Sequence, residues 1–242
     1  MSEFPDPSAA VAGQVLVVTQ PLGTGVIAGL DEPPPPLAEA AAGLDGGQAQ
    51  AADAAGALGV SAGISLATTS LLEAATELAS ASGVGIALRV DRVPVIDGVL
   101  AVADVDADVP AGVLESLGES VEFHPQIVEA ARAVMATPET HGGCLMAVDR
   151  EQLMSLMEKL GSGGLRGMAV GQLIPEPVGR VGVVTPVNTL GVTGGGSRTA
   201  ARTPEEGEEI PPPPPPGMAP PGGMPGGMPG PGMPPGAPPP GA

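Results

Sequence analysis

Apolar residues in this chain come in short runs separated by glycine and proline, and the spacing inside each run distinguishes strand from helix. Residues 14–19 are a β-branched apolar run followed by Pro21, Gly23 and Gly25, which predicts a buried strand and then a glycine-rich turn. The prolines at 33–36 cannot lie in a helix interior, because proline lacks the N–H that the ladder needs. The Ala-rich stretch 37–58 favours helix, broken into two pieces at Gly43, Gly46 and Gly47. Between 69 and 80, Leu71, Leu72, Ala75, Leu78 and Ala79 recur at helical spacing, and Gly83-Val84-Gly85 ends that helix. Ile86, Leu88 and Val90 then alternate with Ala87, Arg89 and Asp91, the pattern of a half-buried strand. A further helix is expected from near Pro125, with Ile127, Val128, Ala131, Val134 and Met135 on one face, stopping before Pro138. Residues 144–148 read as a short apolar strand. Asp149 and Gln152 have the spacing of a capping box for a helix striped by Leu153, Leu156, Met157 and Leu160, with Lys159 complementing its C-terminal end and Gly161 as its stop. A last strand is expected over 181–184.

Beyond Thr185 the periodicity is lost. Residues 203–209 are acidic, and an unbroken proline run follows, with Pro211 and Pro216 at its ends. The remainder is Pro, Gly, Met and Ala, with Gly-Gly-Met-Pro repeated at Gly222 and Gly226. Such sequence cannot bury enough apolar surface to offset its ordering entropy. The expected organisation is therefore a flexible N-terminus over 1–13, one domain over 14–187, and a disordered tail over 188–242 with local polyproline II. A proline run loses little entropy on docking into an aromatic groove, so a proline-binding module at 211–216 is one candidate partner. No basic residue flanks the run to orient it, which favours a solubilising extension.

The 242 residues carry 9 Lys and Arg against 27 Asp and Glu, a net charge of -18, and Lys159 is the only lysine. With 2 Phe and no Trp or Tyr, the core must be built from Val, Leu, Ala, Ile and Met. The same facts argue against nucleic acid, since phosphate is repelled and base stacking has no aromatic platform. No apolar run approaches bilayer length and the start lacks a signal-peptide pattern, so the expected location is the cytoplasm. A high-salt cytoplasm and a GC-rich genome each account for the acidic, Ala- and Gly-rich composition. The single cysteine, Cys144, cannot form an intramolecular disulfide, and no Cys/His spacing reads as a metal site.

Two motifs stand apart from this pattern. Gln20-Pro21-Leu22-Gly23-Thr24-Gly25-Val26 follows the first apolar run, and Thr140-His141-Gly142-Gly143-Cys144-Leu145 precedes and opens a later one. With the stretches 81–88 and Val93-Pro94-Val95, and with Gly179-Arg180-Val181-Gly182-Val183, they occur in the order found in the C-terminal half of selenophosphate synthetases, which this chain resembles. Those enzymes belong to the wider aminoimidazole ribonucleotide synthetase family, called PurM-like. The resemblance implies an α/β (α+β) fold in which helices cover a mixed sheet. In the family this stretch follows an N-terminal ATP-binding half, whereas here only about 13 residues precede it.

The family's dikinase reaction uses ATP, Mg²⁺ held by carboxylates, and a nucleophilic Cys or selenocysteine with a Lys in that N-terminal half. The resemblance therefore implies no catalytic residue and no metal site here, and no cofactor for the chain on its own. ATP and Mg²⁺ enter only if a partner chain supplies the missing half. Departures inside the matching half agree. Ser65 stands for the family's acid, and Thr68, Ser70 and Glu73 stand for glycines. Gln20 stands for a lysine, and Thr137, Glu139 and His141 stand for Asp, Gln and Ser. What survives is a candidate anion- or nucleotide-binding remnant at Gly23, Thr24, Gly25, Thr140, Gly142 and Gly143, since glycine-rich turns present unobstructed N–H groups. These residues are equally readable as turn glycines kept for the fold. His141 near Cys144 has the composition of an activated thiol, against which stands the habit of free Cys to be buried as a small hydrophobe. His124 reads as a helix-start residue.

Three functions follow as expectations. The first is a stand-alone domain that is not a dikinase by itself and acts through association, as a homo-oligomer or with an ATP-binding-half partner chain. The second is the C-terminal subunit of a split ATP-dependent selenophosphate synthetase. The third is an adaptor that uses the proline-rich tail.

Overall fold

The computed structural model describes residues 6–44 and 47–186. The expected tail and its proline run lie outside the described residues. Seven strands alternate irregularly with helices: β1 Val15–Val18, β2 Ala62–Ser65, β3 Gly85–Arg89, β4 Val121–Phe123, β5 Cys144–Val148, β6 Met168–Ile174 and β7 Val181–Val184. They form one sheet in the order β2-β5-β1-β6-β3-β7-β4. The β3–β7 and β7–β4 pairs are parallel and the rest antiparallel, so the sheet is mixed, as the resemblance implies.

Alternation along the strands sends side chains to two faces. On one face Leu16 and Val18 of β1, Ile86 and Leu88 of β3, Leu145 and Ala147 of β5, and Val181 and Val183 of β7 are buried. Helices α4 (Leu71–Ser82) and α6 (Glu129–Ala136) pack there through Leu71, Leu72, Ala75, Leu78, Val134 and Met135. On the other face Val17, Cys144, Met146 and Val148 meet Ala51, Ala54 and Ala55 of α3 (Gly47–Leu58) and Leu156 and Leu160 of α7 (Leu153–Ser162). This second layer stops at β1. Beyond it Ala87 and Arg89 of β3, Gln172 of β6 and Val184 of β7, with Arg92, line an open groove of about 290 Å³. The other α-helices among the described residues are α1 Thr24–Ala28, α2 Pro35–Ala42 and α5 Asp108–Leu117. Of the N-terminal 13 residues, 6–13 are described; Ala10 is buried in the core, and Gly13 N–H donates to Leu173 O at 2.8 Å.

Most predicted elements form within a residue or two, and α2 accepts Pro35 and Pro36 because its first turn needs no N–H there. Several expectations are corrected. The helix placed from Pro125 begins at Glu129, because 121–123 is an edge strand and a tight turn follows, with Ile127 N–H on His124 O and Gln126 N–H on the His124 ring. His124 is thus a turn residue, and Val128 is exposed. Val90 is not in β3 but opens a short 3₁₀ turn. The Asp149 and Gln152 capping box does not form, since the Asp149 carboxylate accepts from the Gln14 amide at 3.0 Å. The reciprocal box sits instead at the start of α4, where Ser70 and Glu73 each accept the other's backbone N–H. Helix α7 runs past Gly161 and is capped by Gly163.

Candidate functional site

The two motifs meet at the N-terminus of α1. Leu22 is pinned between backbone groups of the Val93-Pro94-Val95 stretch, donating to Pro94 O at 2.8 Å and accepting from Ile96 N–H at 2.9 Å. This fixes Gly23, whose φ of 122° turns the chain into α1. The segment from α6 into β5 then passes so close that a Cβ on Gly25 would lie 1.8 Å from Pro138 O. At that position only glycine fits.

Glu139 fills the space the glycines leave. Its side chain is 3% exposed, and one carboxylate oxygen accepts from Gly23 N–H at 2.9 Å. The other accepts from Thr24 N–H at 2.8 Å and from the Thr24 hydroxyl at 2.5 Å. The Thr24 oxygen in turn accepts from Thr140 N–H at 3.0 Å and His141 N–H at 3.3 Å, so its single proton is committed to Glu139. Burial pushes the Glu139 carboxyl up from the usual carboxylate range, and bonds from Thr24, Gly23 and Gly25 pull it back only in part.

The third divergent stretch closes the same site. Thr68 N–H donates to Glu139 O at 2.7 Å, Glu139 N–H donates to Thr69 O at 3.3 Å, and Leu66 N–H donates to Gly143 O at 2.8 Å. Thr68 holds a φ of 70°, the left-handed region that a β-branched residue enters at a cost. Ser65 Oγ accepts from Ala67 N–H, and Thr137 Oγ donates to Ala133 O, so both replacements for the family's acids are engaged in local bonds.

The structure thus brings Gly23, Thr24, Gly25 and Thr140 together around Glu139. Gly142 and Gly143 lie instead against Gln48 and Gln20. Gln20 is buried at 3% exposure, donates to Leu44 O at 2.7 Å, and lies on Gly47 so closely that a Cβ there would be 2.3 Å from its amide nitrogen. Its amide oxygen has no hydrogen-bond partner. Cys144 is fully buried in β5, and burial pushes its thiol up to about 12, which leaves it protonated and far from a nucleophile. His141 pairs its ring with the Thr140 hydroxyl at 2.9 Å. The role of Glu139 was missed in the sequence, although the exchange of a neutral Gln for an acid opposite a glycine-rich turn is the signal that marks it.

Beside this cluster, between Gly25, Thr137, Pro138 and Thr140 and the start of α5, lies an open cavity of about 450 Å³. Among the described residues no group of three or more His, Cys, Asp or Glu is placed to hold a metal ion, and no helix is long and apolar enough to cross a membrane.

No family model matches the chain. It is 29% identical over 176 residues to a selenide, water dikinase of Citrifermentans bemidjiense, covering 71% of this chain and 50% of that protein. A selenide, water dikinase of Treponema denticola is 28% identical over 160 residues, covering 63% of this chain and 45% of the other. The chain therefore spans about half the length of these curated relatives. Among solved structures, Thermotoga maritima PurL complexed with ATP aligns with a TM-score of 0.46 at 18% identity, over 75% of this chain and 25% of that one. A thiamine-monophosphate kinase from Stenotrophomonas maltophilia aligns with a TM-score of 0.46 at 16% identity, over 74% and 52%. The sequence likeness of this chain, motifs and connecting stretches together, is to the selenide, water dikinases.

Proposed function

We propose that this chain is a selenophosphate synthetase-like domain, corresponding to the family's C-terminal half, that does not carry out the dikinase reaction by itself and acts through association. The observation that carries this reading is Glu139. A glycine-rich turn binds an anion by offering N–H groups, and here Gly23 N–H, Thr24 N–H and the Thr24 hydroxyl are already taken by the chain's own carboxylate. The remnant at Gly23, Thr24, Gly25, Thr140, Gly142 and Gly143 then serves the fold, and phosphate meets an internal negative charge. Phosphoryl transfer also depends on cations that neutralise developing charge, and the lysine position of the motif is Gln20, buried and bonded to Leu44.

Association has its own support. Among the described residues the second helical layer covers only the β2-β5-β1 part of the sheet, leaving the groove over β6, β3 and β7 as a surface for another copy or for an ATP-binding-half chain. If such a chain brings the nucleophile, lysine and metal carboxylates, the assembly is a split selenophosphate synthetase, and ATP and Mg²⁺ belong to the partner.

Native mass spectrometry of complexes purified gently through a tag on this chain tests both. Homo-oligomers or non-nucleotide partners, with no calorimetric heat on adding ADP and Mg²⁺ to the purified chain, are expected. An ATP-binding-half protein at equal stoichiometry would establish the split enzyme, and tight ADP binding by the chain alone would refute the Glu139 argument.

A further inference from the structure

We propose that the cavity between α1 and α5 binds a small organic cation, an ammonium or guanidinium head on an apolar body. Its walls are Val26 and Leu30 on one side and Val102 and Val109 on the other, and among the described residues its only acidic lining residues are Asp104 and Asp108. Among the described residues no Lys or Arg lines it. About 450 Å³ is the size of a small-molecule site, with apolar walls and a few polar groups that fix orientation.

Charge selects the ligand. The motif beside the cavity is the place where an anion would be expected from the glycine pattern, yet Glu139 takes the donors of Gly23 and Thr24 and the Thr24 oxygen takes the Thr140 N–H, so these donors are spent within the chain. On this point the inference rests on the reading given above. Two carboxylates then remain at the mouth of an apolar space in a chain of net charge -18, a field that gathers cations and turns away phosphates and carboxylates. Both side chains belong to exposed residues; Asp104 spends one oxygen on Asp106 N–H at 3.0 Å, which holds the loop and leaves its second oxygen for a guest. Among the described residues the cavity has no aromatic wall, so a quaternary ammonium finds no ring face there to stack on. A head that donates hydrogen bonds, such as a primary ammonium, is the better match. Val109 is 55% exposed, and an apolar body over it removes that surface from water.

Calorimetric titration of the full chain with 2-phenylethylamine, 2-phenylethanol and phenylacetate tests this. The amine should bind about fivefold or more tightly than the alcohol, and phenylacetate should give no heat. In the double variant Asp104→Asn with Asp108→Asn, the amine should fall to the level of the alcohol. Both positions are exposed, so the variant's unfolding midpoint should match the parent and confirm that loss of binding is local. Equal affinity for amine and alcohol, amine binding unchanged in the double variant, or no binding of the amine at millimolar concentration would each overturn the proposal. A lysine-bearing apolar peptide that binds more tightly than the amine, and loses that in the double variant, would also overturn it, because the cation would then belong to a protein. A parallel ADP titration keeps the two readings apart, since ADP binding sinks the Glu139 argument whatever the amine does.

Discussion

Replacing Glu139 with Ala isolates the interaction on which the site is built. The carboxylate satisfies two backbone N–H groups and one hydroxyl in a place shut off from water. The hydroxyl can rotate to a new partner, but the N–H groups of Gly23 and Thr24 cannot, and each buried unsatisfied donor costs about 1–3 kcal/mol. The removed charge was itself costly to bury, so part of that loss is returned. A net destabilisation of about 3 kcal/mol is expected. Urea unfolding of the full chain at pH 7, with an unchanged slope and a lowered midpoint, would measure it. A loss below about 1 kcal/mol would refute the reasoning, since it would mean that the donors find other partners. Glu139→Gln adds the electrostatic half of the test. Burial raises the folded-state carboxyl above its ordinary value, so the stability it contributes is fully present below the ordinary carboxylate range and is lost as pH rises through the folded value. The advantage of the parent over Gln should therefore be larger at pH 4 than at pH 7. An advantage that grows with pH would show that the three donors outweigh burial.

Three further outcomes are expected. Thr68→Gly relieves an exposed β-branched residue from a φ of 70° and should raise stability by about 0.5–1 kcal/mol in the same urea assay; a decrease would assign the Thr68 side chain a contact that offsets its strain. Gly25→Ala forces a Cβ to within 1.8 Å of Pro138 O, and a loss of at least about 2 kcal/mol should follow, whereas a near-neutral result would mean that the 137–140 segment moves freely. Cys144 should resist iodoacetamide at pH 8 in the native state and react only with urea, and rapid native labelling would contradict its burial.

What the sequence made legible was local and periodic. Leu71, Leu72, Ala75 and Leu78 announce α4, and 144–148 announces β5, because the burial of one face or of a whole strand leaves its period in the apolar positions. Strand β6 was missed because a register shift against β1 and the glycine at 171 break its alternation, and its role depends on partners more than 80 positions away. The capping box was assigned to Asp149 when the spacing alone could not reveal that Gln14, from the far end of the domain, claims that carboxylate. The candidate site divided in the same way. The glycines were visible as turn-formers, but their occupant was not, since contact between residues 23 and 139 is a product of the fold.

The last strand among the described residues, β7, is not at the edge of the sheet. It is inserted between β3 and β4, and among the described residues β4 has no other strand beside it. During synthesis, therefore, Val121, Glu122 and Phe123 must wait for some 60 further residues to leave the ribosome before their backbone finds its ladder. Until then a nascent chain carries two open strand edges, β3 and β4, where the finished domain carries one continuous sheet. A nascent chain that has emerged only as far as Arg180 holds a domain whose first six strands are free of the ribosome and whose sheet cannot close, the stage at which a chaperone or a second nascent copy has the most to bind.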